Sequence, residues 1–144
     1  MLTQTDAMLT DRQPSSASRK GVAAVETAFC LPVIVLIVFG GIQAANMIFL
    51  KQAITAAAYE GALFASKPEG TQTETVSRVQ TILDARNIQT TTITAGSGGV
   101  SIDQLAPGQS FSIRIRAAAS LNSIGPQMFA VFNDIEAEVF ARKL

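Results

Sequence analysis

The chain has no histidine, no tryptophan and a single cysteine, Cys30, among its 144 residues. One cysteine cannot form an intramolecular disulfide, and without histidine no zinc site can be built from histidine and cysteine ligands. A cysteine nucleophile activated by histidine is excluded for the same reason. Cys30 lies inside an apolar run and reads as a small buried hydrophobe, with lipidation or intermolecular pairing as the alternatives. Net charge is missing too: 11 basic residues balance 11 acidic ones over the whole chain. From Lys51 onward there are eight of each. That balance argues against nucleic-acid binding, which draws on a basic excess. The acids stand one at a time, and the glycines at 96, 98 and 99 do not precede a helix. No nucleophile–base pair, metal cluster or phosphate loop is therefore visible. The absences together point away from an enzyme, a cofactor and a small-molecule substrate.

What the chain has is one long apolar run. After Arg19, Lys20 and Gly21 comes a single carboxylate, Glu26, and then no charged residue from Thr27 to Leu50. These 24 uncharged residues make a helix about 36 Å long, against about 30 Å of bilayer hydrocarbon. A membrane span over about 27–50 follows. Glu26 needs a reason for its place at the edge of that span, because an acid deep in a bilayer costs about 2.5–3.5 kcal/mol on insertion scales. Local pairing with Arg19 or Lys20 is one reason. Another comes from the spacing: cut after Gly21, the chain begins at Val22 and Glu26 becomes its fifth residue.

That arrangement, a basic polar leader, a glycine, four mostly apolar residues, a glutamate and a long apolar helix, resembles the type IV prepilin leader. Gly-Val-Ala-Ala-Val-Glu at 21–26, Leu31-Pro32, Phe39-Gly40 and Ala-Ala-Tyr-Glu-Gly-Ala at 57–62 resemble a narrower family, the TadE-like pseudopilins of tight-adherence (Tad) pilus systems. The resemblance covers Arg19 to about Ala65, and it departs from the family pattern at Thr27, Gln43 and Tyr59. It implies a minor pilin or pseudopilin with no catalytic role, which helps to start or cap pilus assembly. It implies processing after Gly21 by a prepilin peptidase, an aspartic membrane protease that recognises Gly21 and Glu26. Its other partners would be pilins, pseudopilins and an inner-membrane assembly platform. The new amine of Val22 would then pair with Glu26 of a neighbouring subunit, a head-to-tail contact that can propagate into a filament.

Residues 1–18 are polar, contain Pro14, show no sustained period and read as disordered. Together with Arg19 and Lys20 they hold the cations nearest the span, which places the N-terminus in the cytoplasm and the C-terminal part outside. Within the span Pro32 lacks an N–H and is expected to kink or loosen the helix, and Gly40-Gly41 is a second soft point. Both are ordinary in membrane helices, and both also admit a neighbouring helix at close range. The helical period continues outside the span, where Ile54, Ala57 or Ala58, Gly61, and Phe64 or Ala65 form a narrow stripe of small side chains. A continuous helix over 22–66 is expected, ended by Lys67-Pro68-Glu69-Gly70.

Thr71 and Glu74 then read as a capping box for a second helix with Val76, Val79, Ile82 and Leu83 buried, ending near Asn87. Beyond it the period changes to two. Ile88–Thr94 is a β-rich stretch, the glycines of 96–99 make a turn, and Val100–Ile102 is expected to be a short strand. Phe111, Ile113, Ile115 and Ala117 alternate with Ser110, Ser112, Arg114 and Arg116. Ile135, Ala137, Val139 and Ala141 alternate with Asp134, Glu136, Glu138 and Phe140. The two wet faces carry opposite charge, so these strands are expected to be antiparallel neighbours with Arg114 and Arg116 facing Glu136 and Glu138. Two independently solvated faces are the alternative.

The fold expected is α+β: a long N-terminal helix, a second short helix and an antiparallel sheet of three or four strands. The expected parts are a leader over 1–21, a helix over 22–66 and a small extracytoplasmic domain over 71–144. Two functional readings stand beside the pseudopilin. One is an uncleaved single-pass membrane protein whose outer domain binds a partner or stiffens an envelope complex. The other is a domain released by signal peptidase near Tyr59, which would lose the apolar helix.

Overall fold

The computed structural model describes residues 16–89, 92–122 and 134–144, with the backbone alone for 16–20. It divides into two compact units, one ending at Ile37 and one comprising Val38–Leu144. Helix α1, Ser16–Ser66, contributes to both. It begins inside the stretch read as disordered over 1–18. Adding turns to an existing helix costs no new nucleation, so the run into the apolar segment extends backward through Ser16–Ser18. Residues 1–15 of the expected leader lie outside the described residues. The helix continues through Pro32, Gly40 and Gly41.

In the second unit α1 turns one face inward. Leu50, Ala53, Ile54, Ala57, Ala58, Gly61, Ala62 and Ala65 are buried, at the three- and four-residue spacing of a core-facing helix. Small side chains on this face bring α1 close to its neighbours. A Cβ placed on Gly61 would collide with Cγ2 of Val79 and lie 3.1 Å from Cδ1 of Ile113. Gly61 is thus where the first helix, the second helix and the sheet meet.

Helix α2, Gln72–Asp84, starts as its sequence predicts, with the amide of Glu74 donating to the Thr71 hydroxyl at 3.3 Å. The return half of the capping box differs. The Glu74 carboxylate accepts from the Thr71 hydroxyl at 3.1 Å instead of reaching the Thr71 amide, because a hydroxyl so close offers the nearer donor. At the other end the Asn87 amide reaches Asp84 O at 3.0 Å and the Ile88 amide reaches Leu83 O at 3.0 Å, with Asn87 at φ 54°. This is a Schellman stop, with asparagine in the left-handed position and Ile88 buried beneath it.

The inward face of α2 is Thr75, Val79 and Leu83, with Val76 and Ile82 only partly buried. Thr75 was not expected there. Its hydroxyl is buried with no hydrogen-bond partner, so it adds the cost of an unsatisfied polar group. Thr75→Val keeps the shape and removes that group, and we expect it to raise stability by about 1 kcal/mol in thermal unfolding.

The sheet has three antiparallel strands in the order β1-β2-β3: β1 Thr92–Gly96, β2 Ser110–Ala117 and β3 Ile135–Arg142. Phe111, Ile113, Ile115 and Ala117 face the core, joined by Ala137 of β3. Thr90 and Thr91, within the expected Ile88–Thr94 stretch, lie outside the described residues. After β1 the chain reverses through Gly98 and Gly99, at φ 54° and 88°, with Ser97 and Val100 bonded to each other in both directions. Both positive φ values suit glycine in a two-residue hairpin turn.

The expected strand over Val100–Ile102 is not formed. Val100 makes a single bridge to Ser97, and Ile102–Gln104 is a 3-10 turn. The reason lies in Gln72, at the start of α2. Its side chain accepts from the Ile102 amide at 3.1 Å and donates to Ala95 O at 3.0 Å, and its own amide donates to Asp103 Oδ1 at 3.1 Å. These side-chain bonds take the place of a strand ladder. A four-residue helix, α3 Ala119–Asn122, follows β2.

The end of α1 is held by the last residues of the chain. Lys143 is buried, and its ammonium donates to Ala65 O at 3.1 Å, Lys67 O at 2.8 Å and Gly70 O at 2.9 Å. Three donors thus meet three acceptors, and the positive charge sits at the negative end of the helix dipole. The Leu144 amide adds a bond to Ser66 O at 2.9 Å.

Candidate assembly surface on the N-terminal helix

Gly21, Val22 and Glu26 all lie on α1, and all are exposed. A Cβ on Gly21 would meet nothing within 4 Å. Glu26 makes no ion pair among the described residues, and the side chains of Arg19 and Lys20 lie outside them. The Thr27 hydroxyl donates to Ala23 O at 2.9 Å, so this departure from the family pattern is absorbed within the helix. From residue 21 to residue 34 every side chain is exposed, Phe29 by 77%. A helix apolar on all sides needs lipid or other helices around it. Among the described residues one helix is long and apolar enough to cross a membrane, Gly21–Ser66, with a hydropathy of 2.5 in its most apolar part. It fits a single-pass anchor.

Gly40 is half-buried, while Gly41 is exposed and a Cβ on it would touch nothing within 4 Å. A neighbouring helix would find no side chain in its way there. Gln43 is one of the few buried side chains in this part of α1.

The structure adds a surface that sequence reasoning missed. Phe49, Gln52, Ala56, Tyr59 and Leu63 follow one another at alternating steps of three and four. At 100° per residue they centre on the side of α1 opposite Ile54, Ala58, Gly61 and Ala65. Phe49, Tyr59 and Leu63 are 59%, 55% and 49% exposed. Beyond the expected span α1 therefore carries an exposed side with Tyr59 and Leu63, opposite the side its own unit covers. The spacing was legible in the sequence, but the stripe of small residues beside it drew the assignment to one face.

On the sheet, the register sets Arg114 opposite Glu138 and Arg116 opposite Glu136, as the alternation of charge predicts. Arg114 Nε lies 2.9 Å from Glu136, Arg114 NH2 3.0 Å from Glu138, and Arg116 NH2 3.0 Å from Glu136. The Ser112 hydroxyl and then the Arg114 guanidinium hold the Glu138 carboxyl below its ordinary pKa. A lowered carboxyl pKa adds stability that is present above the unfolded value and lost as pH falls through the folded one. Reversing both cations (Arg114→Glu with Arg116→Glu) should lower the melting temperature, and adding Glu136→Arg with Glu138→Arg should restore part of it. Lack of any restoration would show that the pairs do not hold the strands together. The pairs are exposed and offer no acid–base site. Among the described residues no three acidic or cysteine side chains gather where they could hold a metal ion.

Neither the comparison with curated proteins nor that with solved structures finds a match. Residues 21–63, the segment that holds Gly21, Val22, Glu26, Pro32, Gly40 and Gly41, match the family model described as TadE-like protein.

Proposed function

We propose that this chain is a minor pilin or pseudopilin, a non-catalytic subunit that helps to assemble a Tad-type pilus at the inner membrane. The observation that carries this reading is the exposed side of α1 with Tyr59 and Leu63, which its own unit leaves uncovered. A helix with one face spent on its own core and the other open is suited to pack against helices of other subunits. Beyond the expected span the chain adds α2 and a three-stranded sheet, which suits a tip, initiator or adaptor more than a repeating shaft. In this reading the N-terminus is cytoplasmic, as the cations before the span favour, and the domain over 71–144 reaches the periplasmic or extracellular side.

A prepilin peptidase cuts after Gly21. The bond it breaks lies within α1, and proteases act on unwound chain. Glycine there lowers the cost of unwinding by about 1 kcal/mol relative to alanine. The freed Val22 amine pairs with Glu26 of an adjoining subunit, which gives a carboxylate without an ion pair among the described residues its partner in an apolar layer.

The test is to charge the open face. In Tyr59→Glu with Leu63→Glu, the unit should melt within about 0.5 kcal/mol of the unaltered protein, as exposed sites do. Recovery with sheared pili, or in complex with other pilus subunits, should fall by at least about tenfold if burying the two charges costs over about 1.4 kcal/mol. Undiminished recovery would remove α1 packing from the account.

A further inference from the structure

The two edges of the sheet are not equivalent. On β1 the carbonyl of Ala95 is taken by the Gln72 side chain, so the start of α2 closes that edge at its C-terminal end. On β3 the register and the bond from the Lys143 amide to Gln109 O at 2.9 Å place the odd-numbered residues in hydrogen-bonded pairs with β2. The N–H and C=O groups of Glu136, Glu138, Phe140 and Arg142 then point away from the sheet. Lys51 of α1 donates to the Glu136 carbonyl and closes that end. Among the described residues nothing bonds the backbone of Glu138 or Phe140 on this side. Phe140 is also 74% exposed, on the wet face of the sheet. Edge strands are usually protected. Past the C-terminal end of β3 the Leu144 amide is taken by Ser66 O, so the edge is left open between the Lys51 and Leu144 closures, from Glu138 to Arg142.

We propose that the edge of β3 from Glu138 to Arg142 receives an extended strand of a partner polypeptide. The strand runs antiparallel to β3, with an apolar or aromatic residue opposite Phe140 and a carboxylate opposite Arg142. Backbone bonds to Glu138 and Phe140 supply the affinity, and alternate side chains supply the choice of sequence. Charge selects the carboxylate: Glu136 and Glu138 are already neutralised by Arg114 and Arg116, whereas Arg142 is exposed and in no ion pair among the described residues. The cation at the other end, Lys51, is occupied by the Glu136 carbonyl.

A second copy of this chain does not fit the edge. β3 runs alongside α1 in the same direction, with Glu136 at Lys51 and Leu144 at Ser66. Two β3 edges paired antiparallel would be related by a two-fold axis normal to the sheet, and the two α1 segments would point in opposite directions. Chains anchored in one membrane cannot do that, a step that rests on the membrane reading. The strand-addition site itself does not depend on the pilus reading.

The test uses the full chain in lipid nanodiscs and the synthetic peptide Thr-Val-Glu-Val-Phe-Val-Lys-Val-Thr, whose glutamate, phenylalanine and lysine fall opposite Arg142, Phe140 and Glu138. Amide exchange at Glu138 and Phe140 should slow by about tenfold or more on saturation, while the amides of β1 stay unchanged. In Arg142→Glu the affinity for this peptide should fall by about fivefold, and exchanging the peptide's glutamate and lysine should recover it. Three results would overturn the proposal. One is unchanged exchange at both amides under saturating peptide. Another is equal binding of both peptides to the variant. The last is protection that is already present without peptide and rises with protein concentration, which would give the edge to a second copy.

Discussion

Lys143→Met should lower the unfolding free energy of the Val38–Leu144 unit by about 3 kcal/mol and its melting temperature by about 15 °C. Among the described residues the ammonium has no carboxylate partner. It is held by Ala65 O in the last turn of α1 and by Lys67 O and Gly70 O in the turn that follows, at 2.8–3.1 Å. Methionine fills the space but removes the donor that Ala65 O and Gly70 O share, leaving Lys67 O with the Gly70 amide alone, and each unsatisfied group costs about 1–3 kcal/mol. Lys143→Arg keeps the charge and loses part of the fit, because a planar guanidinium cannot direct three donors as an ammonium does. It should fall between. Thermal unfolding of the three proteins in the same detergent decides the matter, and a Lys143→Met protein as stable as the parent would show that the clasp contributes little.

Gly70→Ala should be as severe, at about 3 kcal/mol, which is the upper range for forcing an extra methyl into close packing. A Cβ there would lie 2.6 Å from Phe64 O and 2.9 Å from both Cα and O of Ala65. These are backbone atoms at the end of α1 and cannot swing aside as a side chain can. Gly98→Ala is the contrast. Its φ of 54° strains an alanine, but the methyl would meet nothing within 4 Å, so the cost should be about 1 kcal/mol. Gly70 O and Ala65 O both accept from Lys143, so the Gly70→Ala and Lys143→Met effects should add to less than their sum. Full additivity would mean that the turn and the clasp are independent.

The parts of the fold that depend on local period were legible in the chain. Alternation over Ser110–Ala117 and Ile135–Arg142 located two strands, and the opposite signs of their wet residues paired them in register. The Thr71 cap and the Asn87 stop bounded α2 because each is a short-range hydrogen-bond pattern. What could not be read depends on distant approach. A lysine next to the last residue looks like a solvated charge, and only the meeting of β3 with the end of α1 buries Lys143. Ile102 looked like a strand residue because nothing in its neighbours announces that Gln72, 30 residues earlier, will take its amide. Val76 looked like part of the buried stripe because its side chain is apolar, and only the rotation of α2 shows that Thr75 takes that place.

The candidate site divides in the same way. Gly21, Val22 and Glu26 are marked by spacing and charge alone, since a carboxylate beside an apolar run is conspicuous without any structure. The open face through Phe49, Tyr59 and Leu63 becomes meaningful only once the opposite face is seen to be buried. A helix that is apolar on both sides can be read as a core element until something shows which side its own fold covers.

The most direct measurement is the intact mass and N-terminal sequence of the membrane-extracted protein, produced with and without an active cognate prepilin peptidase. The account predicts a chain that begins at Val22 when the peptidase is present, and an uncut chain when it is absent or when Gly21→Ala is introduced. A chain that begins at Met1 under both conditions would contradict it, leaving an uncleaved membrane anchor whose Glu26 has no new amine to meet.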